Sequence, residues 1–335
     1  MLSRLISSAF GPTSPRALDV RVQALAGGRI HFGLVDLTGA TPRAFGGIGA
    51  MLAEPTIRVT AVRSSRWGIS GLQEDEVLHQ RILDALHSFQ ELTGCASVKL
   101  HVEDALPRHH GLGSGTATIL SCLVAANAIS RTGLSDAELV RLSGRGGASG
   151  TGVNGYWQGG WIVDCGQESS EAPVPSGSRP ASRPSMLVQR IPPPPWSLDV
   201  YLPPRGRCIS GPEEEAIFRE AANGRQQESL EALALLYHGL LPALLSHNLD
   251  AFGSFMREFQ SRGLKKHEIA RQHPSVRALM RAMQAAYPCV AMSSMGPTVV
   301  GIREKASSIP KMADLTRPAI TTRVDDRGVQ LTWVE

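Results

Sequence analysis

The sequence is poor in aromatic residues and in clustered charge. Only 5% of its residues are Phe, Trp or Tyr, and 34 Lys and Arg against 30 Asp and Glu give a net charge of +4. The positive charges form no basic run. A nucleic-acid surface usually combines clustered cations with stacking rings. The composition therefore argues against a nucleic-acid partner. The small positive net charge fits a small anionic substrate, and ordinary variation in composition explains it as well.

Long apolar runs and paired cysteines are also lacking. No segment reaches the ~18 consecutive apolar residues that cross a bilayer, and the five cysteines form no C-x-x-C pair. We therefore expect a cytoplasmic protein with no membrane contact, no disulfide framework and no zinc site. Residues 1–18 contain no acid and faintly resemble a transit peptide, but a disordered tail is the favoured interpretation.

Glycine is abundant instead, with 34 residues in 335 against a usual share of ~7%. The length suggests about two domains. Residues 168–185 are rich in Ser, Pro and Gly, which is typical of a linker or mobile loop. The sequence thus predicts two α+β domains, an N-terminal one over 19–167 and a C-terminal one over 186–335.

Hydrophobic periodicity predicts the local elements. Strands on either side of Gly27-Gly28 suggest a hairpin, the glycine-dense stretch 143–160 suggests a loop, and 321–324 with 329–334 suggest a closing hairpin. The segment 117–129 is apolar almost all round, which is typical of a buried helix. Amphipathic spacing predicts further helices over 76–92, 212–222, 227–245, 250–261 and 274–286.

The glycine-rich segment between a predicted strand and this buried helix is the strongest candidate site. It reads Gly111-Leu112-Gly113-Ser114-Gly115-Thr116. Glycines allow close backbone approach, and the first N–H groups of a helix bind phosphate or pyrophosphate. No Lys follows as in a Walker A loop, and the spacing is not that of a dinucleotide fingerprint. The alternative is a tight connection that binds nothing.

Charged residues near other glycines form weaker candidates. Asp36 and Arg43 flank a glycine-containing loop and could hold Mg²⁺ and a phosphate or carboxylate, or form only a solvated turn. Arg145 with Gly146 and Gly147 could contact a second anion or lie in a flexible surface loop. His31 could point into a cleft, or simply be hydrogen-bonded within a strand.

Three motifs together resemble the GHMP superfamily of small-molecule kinases. The loop Gly111–Thr116 resembles its phosphate loop, the segment 293–298 its C-terminal glycine motif, and the segment 28–36 its N-terminal motif. The resemblance implies an α+β two-domain fold, with an N-terminal domain related to a ribosomal-protein fold and a ferredoxin-like C-terminal domain. It adds Ser294 and Gly296 to the expected phosphate- and substrate-binding residues.

Within the superfamily, the blocks at residues 31–37, 46–49, 111–116 and 144–153 are similar to β-ribofuranosylaminobenzene 5′-phosphate synthases of methanopterin biosynthesis. That resemblance implies a Mg²⁺-dependent, dimeric glycosyltransferase. It joins phosphoribosyl pyrophosphate to 4-aminobenzoate or 4-hydroxybenzoate and releases CO₂ and pyrophosphate. It also implies that Asp36, Arg43 and Arg145 act in the reaction, with Asp36 as a metal or ribose ligand.

Two other functions stay open. A kinase that moves the γ-phosphate of ATP to a small alcohol such as homoserine is the first. Two glycines argue against it: Gly115 stands where kinases generally carry a Mg²⁺-binding Ser, and Gly152 where many carry a catalytic Asp. The second is a catalytically silent protein of the same fold that binds a nucleotide or phosphosugar.

Overall fold

The structure is a computed structural model that describes residues 20–72, 75–104, 106–148, 150–168, 173–175, 184–312 and 317–334. Its strands are β1 Arg21–Asp36, β2 Arg43–Arg63, β3 Gly68–Ser70, β4 Val98–Asp104, β5 Trp161–Asp164, β6 Gln167–Glu168, β7 Leu187–Ile191, β8 Trp196–Tyr201, β9 Cys289–Met292, β10 Val299–Glu304, β11 Ile320–Thr322 and β12 Gln330–Val334. Its helices are α1 Glu76–Thr93, α2 Ser114–Ser130, α3 Asp136–Ser143, α4 Gly150–Gln158, α5 Pro212–Ala222, α6 Gln226–Leu235, α7 Leu241–Leu245, α8 Leu249–Phe259, α9 Gly263–Arg271 and α10 Pro274–Gln284.

Two sheets form the framework, as expected for an α+β fold. The larger has the order β12-β1-β2-β4-β3, with β5, β6 and β7 attached near the other end of β2. The smaller has the order β11-β8-β10-β9. The long antiparallel pair β1 and β2 forms the centre of the first sheet, because β12 pairs with the outer side of β1 and the remaining strands extend the sheet from β2.

Helix α2 explains how the first half of the chain forms a core. Nearly every residue of α2 is buried, because it packs on β1 and β2 while α1 and α3 cover it from outside. The prediction of a buried, apolar helix is confirmed. None of the helices within the described ranges is long and apolar enough to span a membrane.

The second half packs its helices on the smaller sheet and against β1. Helix α8 lies on β9, and α10 contacts β9 and β10. Helices α6 and α9 contact β1, so the strand that carries the first predicted motif lies between the two halves. The segment predicted as one helix over 227–245 is α6 and α7 joined by a π-helical turn at Leu236–Leu240.

The predicted hairpin at Gly27-Gly28 was wrong. Strand β1 runs straight through these glycines and only shifts register against β2. A Cβ at Gly27 would lie 1.8 Å from the Leu52 carbonyl oxygen, and one at Gly28 would lie 2.5 Å from Leu106 Cδ2. The two glycines therefore permit close packing instead of a turn.

The structure also corrects two further predictions, one for the stretch 143–160 and one for the last two strands. Stretch 143–160 is not all loop, because it contains α4, whose Gly155 would place a Cβ 2.5 Å from Met51 Sδ. Small residues let this helix lie close to β2. The last strands do not pair with each other, since β11 pairs with β8 and β12 with β1.

The domain limits 19–167 and 186–335 stay a prediction, although β7 and β12 come from beyond residue 186 and join the first sheet. The predicted tail 1–18 and most of the predicted linker 168–185 lie outside the described residues.

Candidate active site

The three predicted motifs meet at one place. Ser293 Oγ accepts a hydrogen bond from the His31 backbone N–H at 3.1 Å and donates one to the Gly111 carbonyl oxygen at 2.6 Å. The Ser294 N–H donates to the His31 carbonyl oxygen at 2.8 Å. The N-terminal strand, the glycine loop and the C-terminal motif are thereby joined into one unit.

The glycine loop takes a conformation that requires its glycines. Gly111 has a φ of +80°, and a Cβ there would lie 2.3 Å from the Ser293 carbonyl oxygen. Gly113 has a φ of +77° and precedes α2 without offering a side-chain cap. Because no side chain of the N-cap covers them, the first N–H groups of α2 can receive an anion.

A cavity of about 600 Å³ opens beside this loop. Seven of the predicted site residues line it: His31, Gly111, Gly113, Ser114, Gly115, Arg145 and Ser294. The other residues predicted to bind phosphate or substrate lie outside its lining: Leu112, Thr116, Gly146, Gly147 and Gly296. Among these, Thr116 Oγ1 accepts a hydrogen bond from Arg145 Nε at 3.0 Å and so orients that guanidinium.

Two partly buried arginines, Arg29 and Arg145, give the cavity wall beside the loop its charge. Arg29 donates from Nη1 to the Gly111 carbonyl oxygen at 2.7 Å, and its buried Nε has no hydrogen-bond partner among the described residues. Burial and the neighbouring Arg145 lower the pKa of Arg29 to about 10, and burial and Arg81 lower that of Arg145 to about 10. Both remain charged at neutral pH, so this wall favours an anion.

A buried ion pair lies under the same cavity. Lys265 and Glu268 of α9 are 1% and 5% exposed in their side chains and form a close salt bridge. Lys265 Nζ also donates to the Ser294 carbonyl oxygen at 2.8 Å. Burial, Arg29 and Lys265 keep the pKa of His31 well below its ordinary value, so its imidazole is neutral at neutral pH.

Asp36 and Arg43 hold a loop beside the site and do not line the cavity. The Asp36 carboxylate accepts backbone N–H bonds from Thr38 at 2.9 Å and Thr41 at 2.7 Å. Arg43 donates to the carbonyl oxygens of Cys165 and Gly166, both at 2.8 Å. Their predicted part in the reaction stays a prediction, since these contacts give both side chains a structural task.

Comparison with known proteins decides the family. The chain is 32% identical over 289 residues to the β-ribofuranosylphenol 5′-phosphate synthase of Methanothermobacter thermautotrophicus, covering 83% of this chain and 87% of that protein. It is 27% identical over 304 residues to the synthase of the same name from Methanocaldococcus jannaschii, covering 86% and 91%. The chain belongs to the β-ribofuranosylphenol 5′-phosphate synthase family. The resemblance drawn from the three motifs is confirmed.

The superfamily and fold of this synthase family member are confirmed as well. Residues 80–159 match the GHMP kinases N terminal domain. Homoserine kinase from Cytophaga hutchinsonii superposes with a TM-score of 0.62 at 13% identity, covering 97% of this chain and 100% of that one. Mevalonate diphosphate decarboxylase from Enterococcus faecalis gives 0.61 at 14% identity, with 94% and 99% covered. These two likenesses concern the fold alone.

The synthase differs from the kinase pattern at two glycines that packing does not require. A Cβ at Gly115 would have no atom of the described residues within 4 Å, so a Ser would fit there. A Cβ at Gly152 would meet only Arg29 Nε, at 3.7 Å, an ordinary contact distance. Sterics therefore permit the kinase side chains, and an Asp at position 152 would place its carboxylate beside the Arg29 guanidinium.

Several residues of the synthase site were missed from the sequence: Arg29, Arg81, Arg108, Glu214, Lys265 and Glu268. Arg29 lies in the segment 28–36 and Arg108 three residues before Gly111, and in both places the glycines give the stronger signal. Glu214 lies in an acidic first turn of α5, which in sequence looks like an ordinary helix start. Lys265 and Glu268 carry no sequence signal, because only folding buries them beside the loop.

Proposed function

We propose that this protein transfers the phosphoribosyl group of phosphoribosyl pyrophosphate to 4-hydroxybenzoate or 4-aminobenzoate, with release of CO₂ and pyrophosphate. The product would serve as a precursor of methanopterin. The curated relatives are named for a ribofuranosyl phenol, which favours the hydroxyl acceptor. The observation that carries the proposal is the pair of partly buried, charged arginines beside an uncapped helix N-terminus.

The reaction needs little from the protein beyond placement and charge. The bond between ribose C1′ and the diphosphate oxygen breaks, and its electron pair leaves with pyrophosphate. The ring carbon that bears the carboxylate bonds to C1′. The bond from that carbon to the carboxylate then breaks, CO₂ leaves, and its electron pair restores the aromatic ring. Charge grows on the diphosphate as it departs, so groups that stabilise that charge accelerate the reaction.

The described residues offer two sets of groups for the diphosphate. The N–H groups that begin α2 favour its negative charge through the helix dipole. Arg29 and Arg145 stand in a poorly solvated wall, where a charge-assisted hydrogen bond is stronger than in water. The acceptor ring would then occupy the rest of the cavity, towards α5 and α9.

Mg²⁺ fits this site only as a companion of the substrate. The described residues include no group of three or more His, Cys, Asp or Glu that could hold a metal ion. The Asp36 carboxylate already accepts several backbone N–H bonds, which argues against its predicted role as a metal ligand. In our proposal Mg²⁺ therefore enters bound to the diphosphate, as is usual for this cation.

The test is a product assay with carboxyl-labelled 4-hydroxybenzoate or 4-aminobenzoate, phosphoribosyl pyrophosphate and Mg²⁺, run beside tubes that contain ATP and homoserine. We expect labelled CO₂ and pyrophosphate in equal amounts. ADP formation without CO₂ would support the kinase function instead. Stabilisation by phosphoribosyl pyrophosphate without any product would support a silent binding protein.

The proposed homodimer has its own test. Size-exclusion chromatography with light scattering should give twice the 35.8 kDa mass of one chain. A mass of one chain at assay concentrations would contradict this part of the proposal.

A further inference from the structure

Two carboxylates from the first turn of α5, Glu214 and Glu215, line the cavity, and burial raises the pKa of Glu214. The Glu214 side chain makes no hydrogen bond or ion pair within the part of the chain that the structure describes. Its neighbour Glu213 instead points away and pairs with Arg207 at 2.8 Å. A partly buried acid that no ion pair neutralises is costly to hold in its charged form, which points to a functional reason for it.

Charged groups surround Glu214 from several elements. Burial, with Glu268 of α9, raises its pKa to about 7, while Arg145, Arg29 and Arg81 act in the opposite direction. A diphosphate bound to the cavity wall that Arg29 and Arg145 form, here called the arginine wall, would offset those positive charges. Its arrival would therefore make Glu214 a stronger base at the moment when the reaction needs one.

An apolar patch lies next to this carboxylate. Phe218 stands four residues after Glu214, on the same face of α5, and both line the cavity. Leu264 and Met295 line the cavity too, and they belong to the same hydrophobic cluster as Phe218. A benzene ring packed on this patch would lie beside Glu214, in the same cavity that Arg29 and Arg145 line.

We infer that Glu214 is the base that takes the proton from the 4-hydroxyl group of a hydroxybenzoate acceptor while its ring carbon bonds to C1′. This inference rests on the proposed function. The O–H bond breaks and its proton moves to a Glu214 carboxylate oxygen. The electron pair passes through the ring to form the new C–C bond, and pyrophosphate leaves C1′ with its own pair. After CO₂ departs, Glu214 returns the proton to the phenolate.

The amino acceptor would not need this base. When 4-aminobenzoate attacks, its nitrogen carries the positive charge as an iminium and keeps both protons until CO₂ departs. The corresponding protonated carbonyl from a phenol is far more acidic, so proton removal lowers the barrier for the hydroxyl acceptor alone. Glu214 would thus make the site competent for phenols.

The variant Glu214→Gln tests this with both acceptors. A general base contributes about 10²- to 10⁴-fold, so we expect kcat/KM for 4-hydroxybenzoate to fall at least about 100-fold. The value for 4-aminobenzoate should stay within about three-fold, which also shows that the variant is folded. Glu213→Gln, one position away and outside the cavity, should leave both values unchanged.

A pH profile gives a second readout. The base acts only when deprotonated, so in the wild-type protein the ratio of hydroxyl to amino kcat/KM should fall as pH drops through the raised pKa of Glu214, which is about 7 before the diphosphate binds. This acidic limb should be missing in Glu214→Gln. An equal loss with both acceptors, or no loss with either, would overturn the inference while leaving the synthase function intact. Absence of CO₂ with both acceptors in the wild-type protein would instead overturn the proposed function and this inference with it.

Discussion

Two loops in this protein look alike in sequence and differ in how many of their hydrogen-bonding groups are available to a ligand. The loop that ends in Gly113 and the loop between Asp36 and Arg43 both combine glycines with charged or polar residues. In the second, the charged side chains are satisfied by carbonyl oxygens and N–H groups of the protein itself. In the first, the N–H groups that begin α2 have no side-chain cap, and Arg29 Nε has no hydrogen-bond partner in the part of the chain that the structure describes.

The difference teaches that residue type alone does not separate a binding loop from a structural one. A group whose hydrogen bonds are already made inside the protein has little left for a ligand, whereas a buried group without partners is stabilised by one. The arginine wall and the start of α2 therefore carry the binding of the anion. The Asp36–Arg43 loop shapes the surroundings. Variants of the arginine wall should therefore lose activity, whereas variants of the Asp36–Arg43 loop should lose stability.

The largest effect is expected on the arginine wall. Arg145→Ala removes a partly buried guanidinium, and loss of one donor that stabilises developing charge costs about 10²- to 10³-fold. We expect kcat/KM for phosphoribosyl pyrophosphate to fall by that factor, measured by pyrophosphate release. Arg141→Ala, an exposed position on α3, is the matched control and should retain normal turnover. Equal activity in the two variants would remove Arg145 from the site.

Asp36→Ala should act on stability. If Asp36 acts in the reaction, as the sequence predicts, this variant should lose turnover sharply without unfolding. The contacts predict instead that unfolding in urea costs about 2 kcal/mol less, because backbone N–H groups lose a charged acceptor. Wild-type stability together with lost turnover would contradict this account and show that Asp36 acts in the reaction.

The pH dependence of that stability sharpens the test. Burial alone would raise the pKa of Asp36, but hydrogen bonds from Thr41, Thr38 and Ala40 lower it below its ordinary value. The carboxylate therefore stabilises the fold fully above its ordinary pKa of about 4, and this contribution is lost as pH falls through the lowered value. The difference between the wild-type protein and Asp36→Ala should shrink in that acidic range.

The smallest effect is expected at Gly115. Because a Cβ there meets no atom within 4 Å, Gly115→Ser should change the unfolding free energy by less than about 0.5 kcal/mol. We also expect no ATP-dependent phosphoryl transfer from it, since position 152 still lacks an acid. ADP production by this single variant would show that the hydroxyl alone separates synthase from kinase.

Much of the fold could be predicted because its signals are local. Helix α2 is apolar on nearly every side and is buried on nearly every side, and α5 occupies the predicted range 212–222. The convergence of the three motifs was also predictable, but only through resemblance, since residues 31, 111 and 293 are far apart in the chain. No periodicity indicates that Ser293 bridges the other two.

The glycines were the main source of error. Gly111 and Gly113 have positive φ values and form a loop as predicted, whereas Gly27 and Gly155 permit close packing within a strand and a helix. A glycine in sequence carries both meanings, and only its neighbours in space decide between them. Glu214 was missed for a similar reason, because its lack of a partner is a property of the folded cavity.

The most direct test of the arginine wall is the affinity for inorganic pyrophosphate, measured by isothermal titration calorimetry on Gly152→Asp and Gly152→Asn. Both side chains would stand beside Arg29 Nε and have nearly the same shape. The carboxylate would pair with the guanidinium and compete with the anion, and a charged hydrogen bond of about 1.5–3 kcal/mol corresponds to about ten-fold or more in Kd. We predict such a loss in Gly152→Asp and near wild-type binding in Gly152→Asn. Equal affinity of the two variants would contradict an anion site on this wall.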